Sequence, residues 1–356
     1  MNKLRLVFVG YTDFSSEYIV NILAEYFILE YFKSTETYNP QTCIFVVSHP
    51  QQFKSLNKTE DDLVDYLDQG FKIILADTWE ARPYVLIDKF KPYLDNILLV
   101  LGCKNPYDTG WKHVIGIERW FWYNECLWYN SADIKYHKDH YVPNRINSKL
   151  FFMPMKRQKP HRTRVREKLS EFLDQSIYSY VEAWENPKQL PEPTEQFVKV
   201  IAPDRVFESG WYDETFFSVV VETVIDRASD LTNEIAGLRP QAVACDMFVT
   251  EKTFKPIAFQ HPFLICGMQG TLEFLRDNGF ATYDHLFDES YDNLESFEDR
   301  LTIIYNNIKN FSQDKYSDPL TKDKIKHNHA LFYDQQRVIR GITQDLIEPV
   351  LEWYNG

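Results

Sequence analysis

The sequence predicts an α/β fold in which buried parallel strands alternate with helices. Short apolar runs, rich in β-branched residues and bounded by polar ones, recur along the chain as they do in strands covered on both faces. The intervals between them carry helical patterns, so right-handed βαβ units are the expected connections. The length of 356 residues accommodates two domains of this kind.

The N-terminal half contains four of the predicted strands. They are residues 4–9, 43–47, 72–76 and 97–101. Helices are predicted between them, at 15–32, 59–69 and 81–90. No GxGxxG pattern follows the first strand, so a dinucleotide site is not expected there.

The second half begins after a predicted linker, Val142–Lys149, which is rich in proline and asparagine. Strands are then predicted at 150–154, 197–201, 216–221 and 263–266. The chain ends in a stretch with apolar residues at helical spacing from Leu331 to Trp353. The expected organisation is an N-terminal domain at 1–145, a C-terminal domain at 149–330 and a terminal helix at 331–356.

Composition and charge exclude several classes of protein. The chain is 44% hydrophobic and 16% aromatic, which is ample for two cores and unlike a disordered chain. The net charge of −13 argues against a broad nucleic-acid or anionic-membrane surface. Five scattered cysteines without a CxxC pair indicate reduced thiols, and no apolar run is long enough for a signal peptide or a membrane span. We therefore expect a cytoplasmic protein.

The stretch from Phe216 to Gly267 carries the main functional signal. An apolar run ends at Glu222, and Thr250, Glu251 and Lys252 later introduce an amphipathic helix that leads to the strand at 263–266. Ligands of α/β sheets bind where strands lead into helices. Lys252 can therefore meet a phosphate, and Glu251 can accept hydrogen bonds from a ribose or sugar hydroxyl. Taken alone, a Thr-Glu-Lys tripeptide more often marks an exposed helix start.

Two threonines are candidates for the residue that caps this helix. With Thr250 as the N-cap, Pro256 lies inside the helix and kinks it. With Thr253 as the N-cap, Pro256 falls in the first turn, where no amide bond is lost. The sequence leaves both alternatives open, and Glu251 and Lys252 lie at the start of the helix in either case.

The most basic stretch of the chain follows the strand predicted at 150–154. It comprises Lys156, Arg157, Lys159, His161, Arg162, Arg164 and Arg166. A helix is predicted to begin near His161 and Arg162. A helix N-terminus beside an arginine suits a diphosphate, because the free amides are positive and a guanidinium binds two oxygens at once. The alternative is a solvated basic loop.

The segments Phe216–Thr223 and Phe248–Gly267 together resemble the donor-binding half of the α1,3-fucosyltransferase-like glycosyltransferases. The chain is also similar to glycosyltransferases encoded by tailed phages, over roughly residues 149–310. It departs from the fucosyltransferase pattern in carrying Val-Glu-Thr at 221–223, where Phe-Glu-Asn is usual, and in a long insert, Val224–Asp246. The resemblance implies a GT-B architecture of two Rossmann-like domains facing a cleft, with a C-terminal helix that crosses back to the first domain.

The resemblance also implies an activity and a set of site residues. We expect a metal-independent transfer of a sugar from a nucleotide-diphosphate sugar, GDP- or UDP-linked, to an acceptor hydroxyl, with no further cofactor. The expected donor-binding residues are His161, Arg162, Glu222, Thr250, Glu251 and Lys252. Asp77 and Glu80 follow a predicted strand and are candidates for the base that deprotonates the acceptor. Glu118 is a third candidate.

The acceptor is not predicted, and two other functions stay open. The acceptor can be a glycan, a small molecule or a modified DNA base. One alternative is a nucleotide-binding module without transfer activity, and another is a phage-type glycosyltransferase acting on a DNA base. The aromatic segment from Trp111 to Tyr141 is either a core or a platform on which sugars or bases stack. Glu289 and Asp292 are either ligand contacts or caps of a surface turn.

Overall fold

In the computed structural model, the chain forms two compact units. The structure describes residues 3–9, 17–48, 60–77, 88–104, 106, 110–130, 145–155, 159–180, 209–225 and 245–356. Unit 1 comprises Met1–Leu127, Val243–Phe248 and Gln335–Gly356, and unit 2 comprises Trp128–Ala242 and Val249–Asp334. Each unit contains a sheet whose strand pairs are all parallel, so the predicted α/β class is confirmed.

In the part of unit 1 that the structure describes, six strands form a sheet in the order β2-β1-β3-β4-β5-β6. Its strands are β1 (Arg5–Phe8), β2 (Ile28–Tyr31), β3 (Cys43–Ser48), β4 (Lys72–Asp77), β5 (Ile97–Leu101) and β6 (His113–Gly116). All five residues of β5 are buried, as the apolar pattern predicts for an inner parallel strand. The ring of Phe45 stacks on that of Phe71 with centroids 4.3 Å apart, which anchors one face of the sheet in the core.

The helix predicted at 15–32 is wrong beyond Tyr26. Helix α1 (Glu17–Tyr26) ends early, and β2 then pairs in parallel with β1 at the edge of the sheet. Ile28 and Tyr31 are exposed there, so their apolar character does not reflect a buried helix face. Backbone pairing with β1 therefore overrides the helical spacing of these residues.

Further helical segments of unit 1 follow β2, β3, β4 and β6. They are α2 (Glu60–Asp68), the 3₁₀ segments Thr35–Thr37 and Asp88–Asn96, and α3 (Trp120–Tyr129), whose last two residues belong to unit 2. Trp120, Trp122 and Tyr123 are almost fully buried. A stacking platform needs an exposed aromatic face, so these three rings form core instead.

The C-terminal segment belongs to unit 1 and is helical almost throughout. It consists of α11 (Gln335–Ile342), a π-helical stretch at Thr343–Ile347 and α12 (Glu348–Asn355). Asp345 in the π-helical stretch accepts hydrogen bonds from Arg119 at 2.7 Å and from Tyr123 at 2.6 Å. A partly buried, charge-assisted network of this kind fixes the segment against α3.

The described residues of unit 2 form a four-stranded sheet in the order β10-β9-β7-β8. Its strands are β7 (Lys149–Met155), β8 (Ile177–Tyr180), β9 (Thr215–Val221) and β10 (Phe263–Cys266). The strand that follows β7 in sequence lies on one side of it, and the next lies on the other side. The order therefore reverses between β7 and β9, which is the point where sheets of this type bind ligands outside the carboxyl ends of their strands.

Helices surround this second sheet. They are α4 (Pro160–Lys168), α5 (Ser209–Glu214), α6 (Glu251–Ala258), α7 (Thr271–Asp277), α8 (Phe297–Lys309), α9 (Gln313–Tyr316) and α10 (Pro319–Phe332), with 3₁₀ segments at Ser170–Gln175 and Glu289–Asn293. The strand predicted at 197–201 lies outside the described residues. None of the helices that the structure describes is long and apolar enough to cross a membrane.

Candidate functional site

The two connections that leave β7 and β9 meet at the switch point of the unit 2 sheet. After β7, the chain passes through Lys159 into α4, whose first residue is Pro160. After β9, Glu222 and Thr223 occupy the corresponding position. The imidazole of His161 in α4 bonds the backbone oxygen of Glu222 at 3.0 Å, which joins the two connections directly.

Glu222 is completely buried, and the protein itself satisfies its carboxylate. Its Oε1 accepts from the Thr250 amide at 3.1 Å and from the Thr253 hydroxyl at 2.6 Å. Its Oε2 accepts from the Thr250 hydroxyl at 2.5 Å and from the Thr223 amide at 3.2 Å. Four donors leave little capacity for a ligand, so Glu222 holds the start of α6 against the end of β9.

Thr250 caps α6, which resolves the two alternatives that the sequence leaves open. Its hydroxyl accepts from the Lys252 amide, and the helix runs from Glu251 to Ala258 with Pro256 inside it. The donors from Thr250 and Thr253 fix this start, because both side chains bond Glu222. The proline in the helix interior is therefore tolerated in a helix of only eight residues.

The far end of α6 is held by groups from other parts of unit 2. Arg145 donates to the backbone oxygens of Phe259 at 2.9 Å and of Gln260 at 2.5 Å. The buried His261 contacts the Ser218 hydroxyl at 2.8 Å and the Thr215 backbone oxygen at 2.9 Å. Both ends of this short helix are thus tied to β9 or to the segment before β7.

Lys252 and Glu251 form an ion pair at the start of α6. The Lys252 ammonium lies 2.8 Å from Glu251 Oε1 and 3.1 Å from each of the Thr223 and Thr250 hydroxyls. Burial raises the pKa of the Glu251 carboxyl, but Lys252 and Lys255 outweigh it and hold that pKa at about 2. The Glu251 and Lys252 side chains are 25% and 23% exposed, so a ligand can reach both of them.

His161 is buried at 1% exposure and lies among three positive charges. Burial lowers its pKa first, and Arg162, Lys159 and Lys252 lower it further, to about 3. The imidazole is therefore neutral near pH 7, with Nε2–H donating to Glu222. Its Nδ1 atom has no hydrogen-bond partner among the described residues.

Three cations from the two connections lie close to His161, because each of them lowers the pKa of its imidazole. Arg162, which is 4% exposed, and Lys159 come from the connection after β7, whereas Lys252 comes from α6. The Lys159 ammonium lies 3.3 Å from the Thr223 backbone oxygen, and Lys252 bonds the hydroxyl of the same residue. The sequence analysis named Lys159 only as a member of the basic stretch and did not select Thr223 as a site residue. A lysine directly before a Pro-His-Arg helix start was the available signal.

The neutral state of the buried histidines predicts a loss of stability in mild acid. An unfolded histidine titrates near pH 6.5, whereas His161 in the folded chain titrates at about 3 and His261 well below 6.5. Between these values the unfolded chain binds protons that the folded chain does not. Stability is therefore lost as the pH falls below 6.5, and His161 alone accounts for about 2 kcal/mol of that loss at pH 5.

Urea unfolding at pH 7.5 and pH 5 checks this expectation. His161→Gln should reduce the difference between the two pH values by about 2 kcal/mol, since one titrating group is removed. The matched control is His327→Gln, because His327 is exposed at the surface, where its imidazole bonds the Gly279 backbone oxygen. Equal pH dependence in the wild type and in His161→Gln would contradict a neutral buried imidazole.

The candidate bases belong to unit 1. Asp77 is the last residue of β4, and Glu80 lies outside the described residues, so their assignment stays a prediction. Glu118 is partly exposed, and its carboxylate lies 3.7 Å from the Lys104 ammonium. An ion pair at that distance accounts for Glu118 without a catalytic role.

Two other carboxylates have structural roles in unit 2. Asp292 accepts from the amides of Leu272 and Glu273 at 2.8 and 2.9 Å, which caps α7. Glu289 accepts from the Thr282 hydroxyl at 2.8 Å. Within the described residues, no three His, Cys, Asp or Glu side chains are grouped as metal ligands.

Comparison with known proteins identifies the fold. No protein-family model and no curated protein sequence matches the chain. The structure is similar to a crystal structure of an α1,3-fucosyltransferase with GDP, with a TM-score of 0.50 and 8% identity over 97% of this chain and 90% of that chain. A second α1,3-fucosyltransferase crystal structure matches with a TM-score of 0.46 and 9% identity over 97% of this chain and 89% of that one.

The chain therefore has an overall fold like that of an α1,3-fucosyltransferase with GDP, as the sequence resemblance implies. The fold that the sequence resemblance implies is therefore confirmed. The similarity to phage glycosyltransferases stays a prediction.

Proposed function

We propose that the chain is a glycosyltransferase that uses a nucleotide-diphosphate sugar, GDP- or UDP-linked, to modify an acceptor hydroxyl. The observation that carries this proposal is the meeting of Lys159 and Lys252 at Thr223, at the switch point of a parallel sheet. The fold shared with an α1,3-fucosyltransferase supports the same reaction class.

The three cations have a clear role in such a transfer. The acceptor oxygen bonds the anomeric carbon while the bond from that carbon to the diphosphate oxygen breaks. The leaving diphosphate keeps the electron pair, and Lys159, Arg162 and Lys252 would stabilise the charge that develops on it. Because these side chains supply the positive charge, we expect no metal requirement. Glu80 or Asp77 would take the proton of the acceptor hydroxyl.

The remaining site residues divide into contact and positioning roles. Glu251 is accessible and ionised, so it would accept hydrogen bonds from the ribose or sugar hydroxyls. Glu222 and Thr250 are buried and bonded to each other, so they would position the start of α6 without contacting the donor. His161 would hold the two connections together as a neutral donor to the Glu222 backbone.

A thermal-shift screen against GDP, UDP, CDP and their sugars tests the donor site, since a ligand that binds only the folded state raises the melting temperature. We expect one nucleotide family to stabilise the chain and its sugar to be hydrolysed slowly without an acceptor. Stabilisation with no turnover against a broad acceptor panel would favour a non-catalytic binding module. No stabilisation by any of them would contradict the proposal.

The DNA-base alternative receives no support from the described part of the basic stretch. Arg164 pairs with Glu298 at 2.7 Å and with Glu167 at 3.7 Å, so its charge is already balanced at the surface. Binding of DNA that weakens steeply with salt would nevertheless identify such an acceptor.

A further inference from the structure

The ammonium group of Lys252 has all of its hydrogen-bonding capacity in use. An ammonium has three N–H donors, and here three protein oxygens accept them. These are the hydroxyls of Thr223 and Thr250, at 3.1 Å each, and Glu251 Oε1 at 2.8 Å. A phosphate can therefore bind Lys252 only by displacing one of these oxygens.

Of the three acceptors, the Glu251 carboxylate is the charged one, and it is freer to leave than the Thr250 hydroxyl. Thr250 is buried, and its hydroxyl is also bonded to the buried carboxylate of Glu222, so its position is fixed. Glu251 is 25% exposed and has a flexible side chain. It carries a full negative charge at neutral pH, so it is also the group that a nearby phosphate repels.

A displaced carboxylate needs new hydrogen-bond donors. A charged group that loses its partner in a partly buried site costs free energy unless another donor replaces that partner. Inorganic phosphate and pyrophosphate bring acceptor oxygens, and at neutral pH they offer few donors. A nucleotide brings a ribose diol, whose two O–H groups can donate to a carboxylate.

We infer that Glu251 is a specificity-determining residue. Its ion pair with Lys252 prevents bare phosphates from binding the ammonium, and the pair opens only for a phosphate that is joined to a ribose. This rests on the proposed function, because it assigns Lys252 to the donor diphosphate. The ion pair of the free protein is replaced on binding by two new contacts, Lys252 to phosphate and Glu251 to ribose. Free phosphate and pyrophosphate, which lack the diol, then compete poorly with the donor.

The test compares pyrophosphate, GDP, UDP and the 2′,3′-dideoxy forms of both nucleotides by calorimetry. In the wild type we expect GDP or UDP to bind about tenfold more tightly than its dideoxy form, the difference that hydrogen bonds to a charged group give. In Glu251→Gln the amide oxygen competes more weakly for Lys252. Pyrophosphate should then bind severalfold more tightly than it does to the wild type, and the preference for the diol should weaken, because a neutral amide oxygen is a poorer acceptor than a carboxylate.

The matched control is Glu273→Gln, which removes the same charge from an exposed side chain in the first turn of α7. It should behave as the wild type does with every ligand. Pyrophosphate binding that is unchanged or weaker in Glu251→Gln would overturn the inference. If that happens while Lys252→Ala still loses nucleotide binding, the proposed donor site stands and only the inference about Glu251 is wrong. Failure of all these ligands to bind the wild type would overturn the proposed function as well.

Discussion

Replacing Lys252 with alanine is expected to weaken nucleoside diphosphate binding about a hundredfold. The substitution removes a charge-assisted hydrogen bond to the diphosphate, which contributes about 1.5–3 kcal/mol. It also leaves the ionised Glu251 carboxylate without its ammonium, in a place where a phosphate must approach. The two effects act in the same direction, so the total loss should approach 3 kcal/mol.

Calorimetric titration with GDP and UDP measures this loss. Lys322→Ala is the matched control, because Lys322 is an exposed lysine in α10 of the same unit. It should bind as the wild type does. Arg162→Ala should also weaken binding while circular dichroism reports an intact fold. Unchanged affinity in both Lys252→Ala and Arg162→Ala would remove the assigned pocket.

The Glu222→Gln variant is expected to lose about 3 kcal/mol of unfolding free energy. The buried carboxylate accepts four hydrogen bonds, and an amide offers one oxygen where the carboxylate offers two. The NH₂ group of glutamine would face donors that then have no acceptor. Leaving buried donors unsatisfied costs about 1–3 kcal/mol for each group, more when a charged partner is lost.

Thr253→Val provides a graded comparison for this second prediction. It removes only one of the four donors and nearly preserves the shape of the side chain, so about 1 kcal/mol should be lost. Urea unfolding of both variants at pH 7.5 measures the two values. A Glu222→Gln protein as stable as the wild type would show that the carboxylate does not brace α6 against β9.

Strong local patterns made the scaffold predictable. The strand β9 was predicted from a continuous apolar run, and helix α6 was predicted from an amphipathic stretch. The edge strand β2 was missed because four residues, ILEY, fit the end of a helix as well as a strand. Only the pairing of their backbone with β1 decides between the two.

The residue types of the candidate site were predictable from the sequence, but the contacts between its side chains were not. Glu222, Glu251 and Lys252 were found because they stand where predicted strands lead into helices, and because their segments resemble the donor-binding half of the α1,3-fucosyltransferase-like glycosyltransferases. The partners of Glu222 were not predictable, since Thr250 and Thr253 follow it by 28 and 31 residues. The role of Lys159 depends on a contact with Thr223 across the switch point, which no local pattern encodes.

A crystal structure of the chain with GDP or UDP bound, whichever stabilises it, would test the central claim most directly. We expect the diphosphate to lie at the carboxyl ends of β7 and β9, with Lys252 and Arg162 both within hydrogen-bonding distance of its oxygens. A nucleotide bound elsewhere, or a diphosphate contacted by cations from only one of the two connections, would contradict the account.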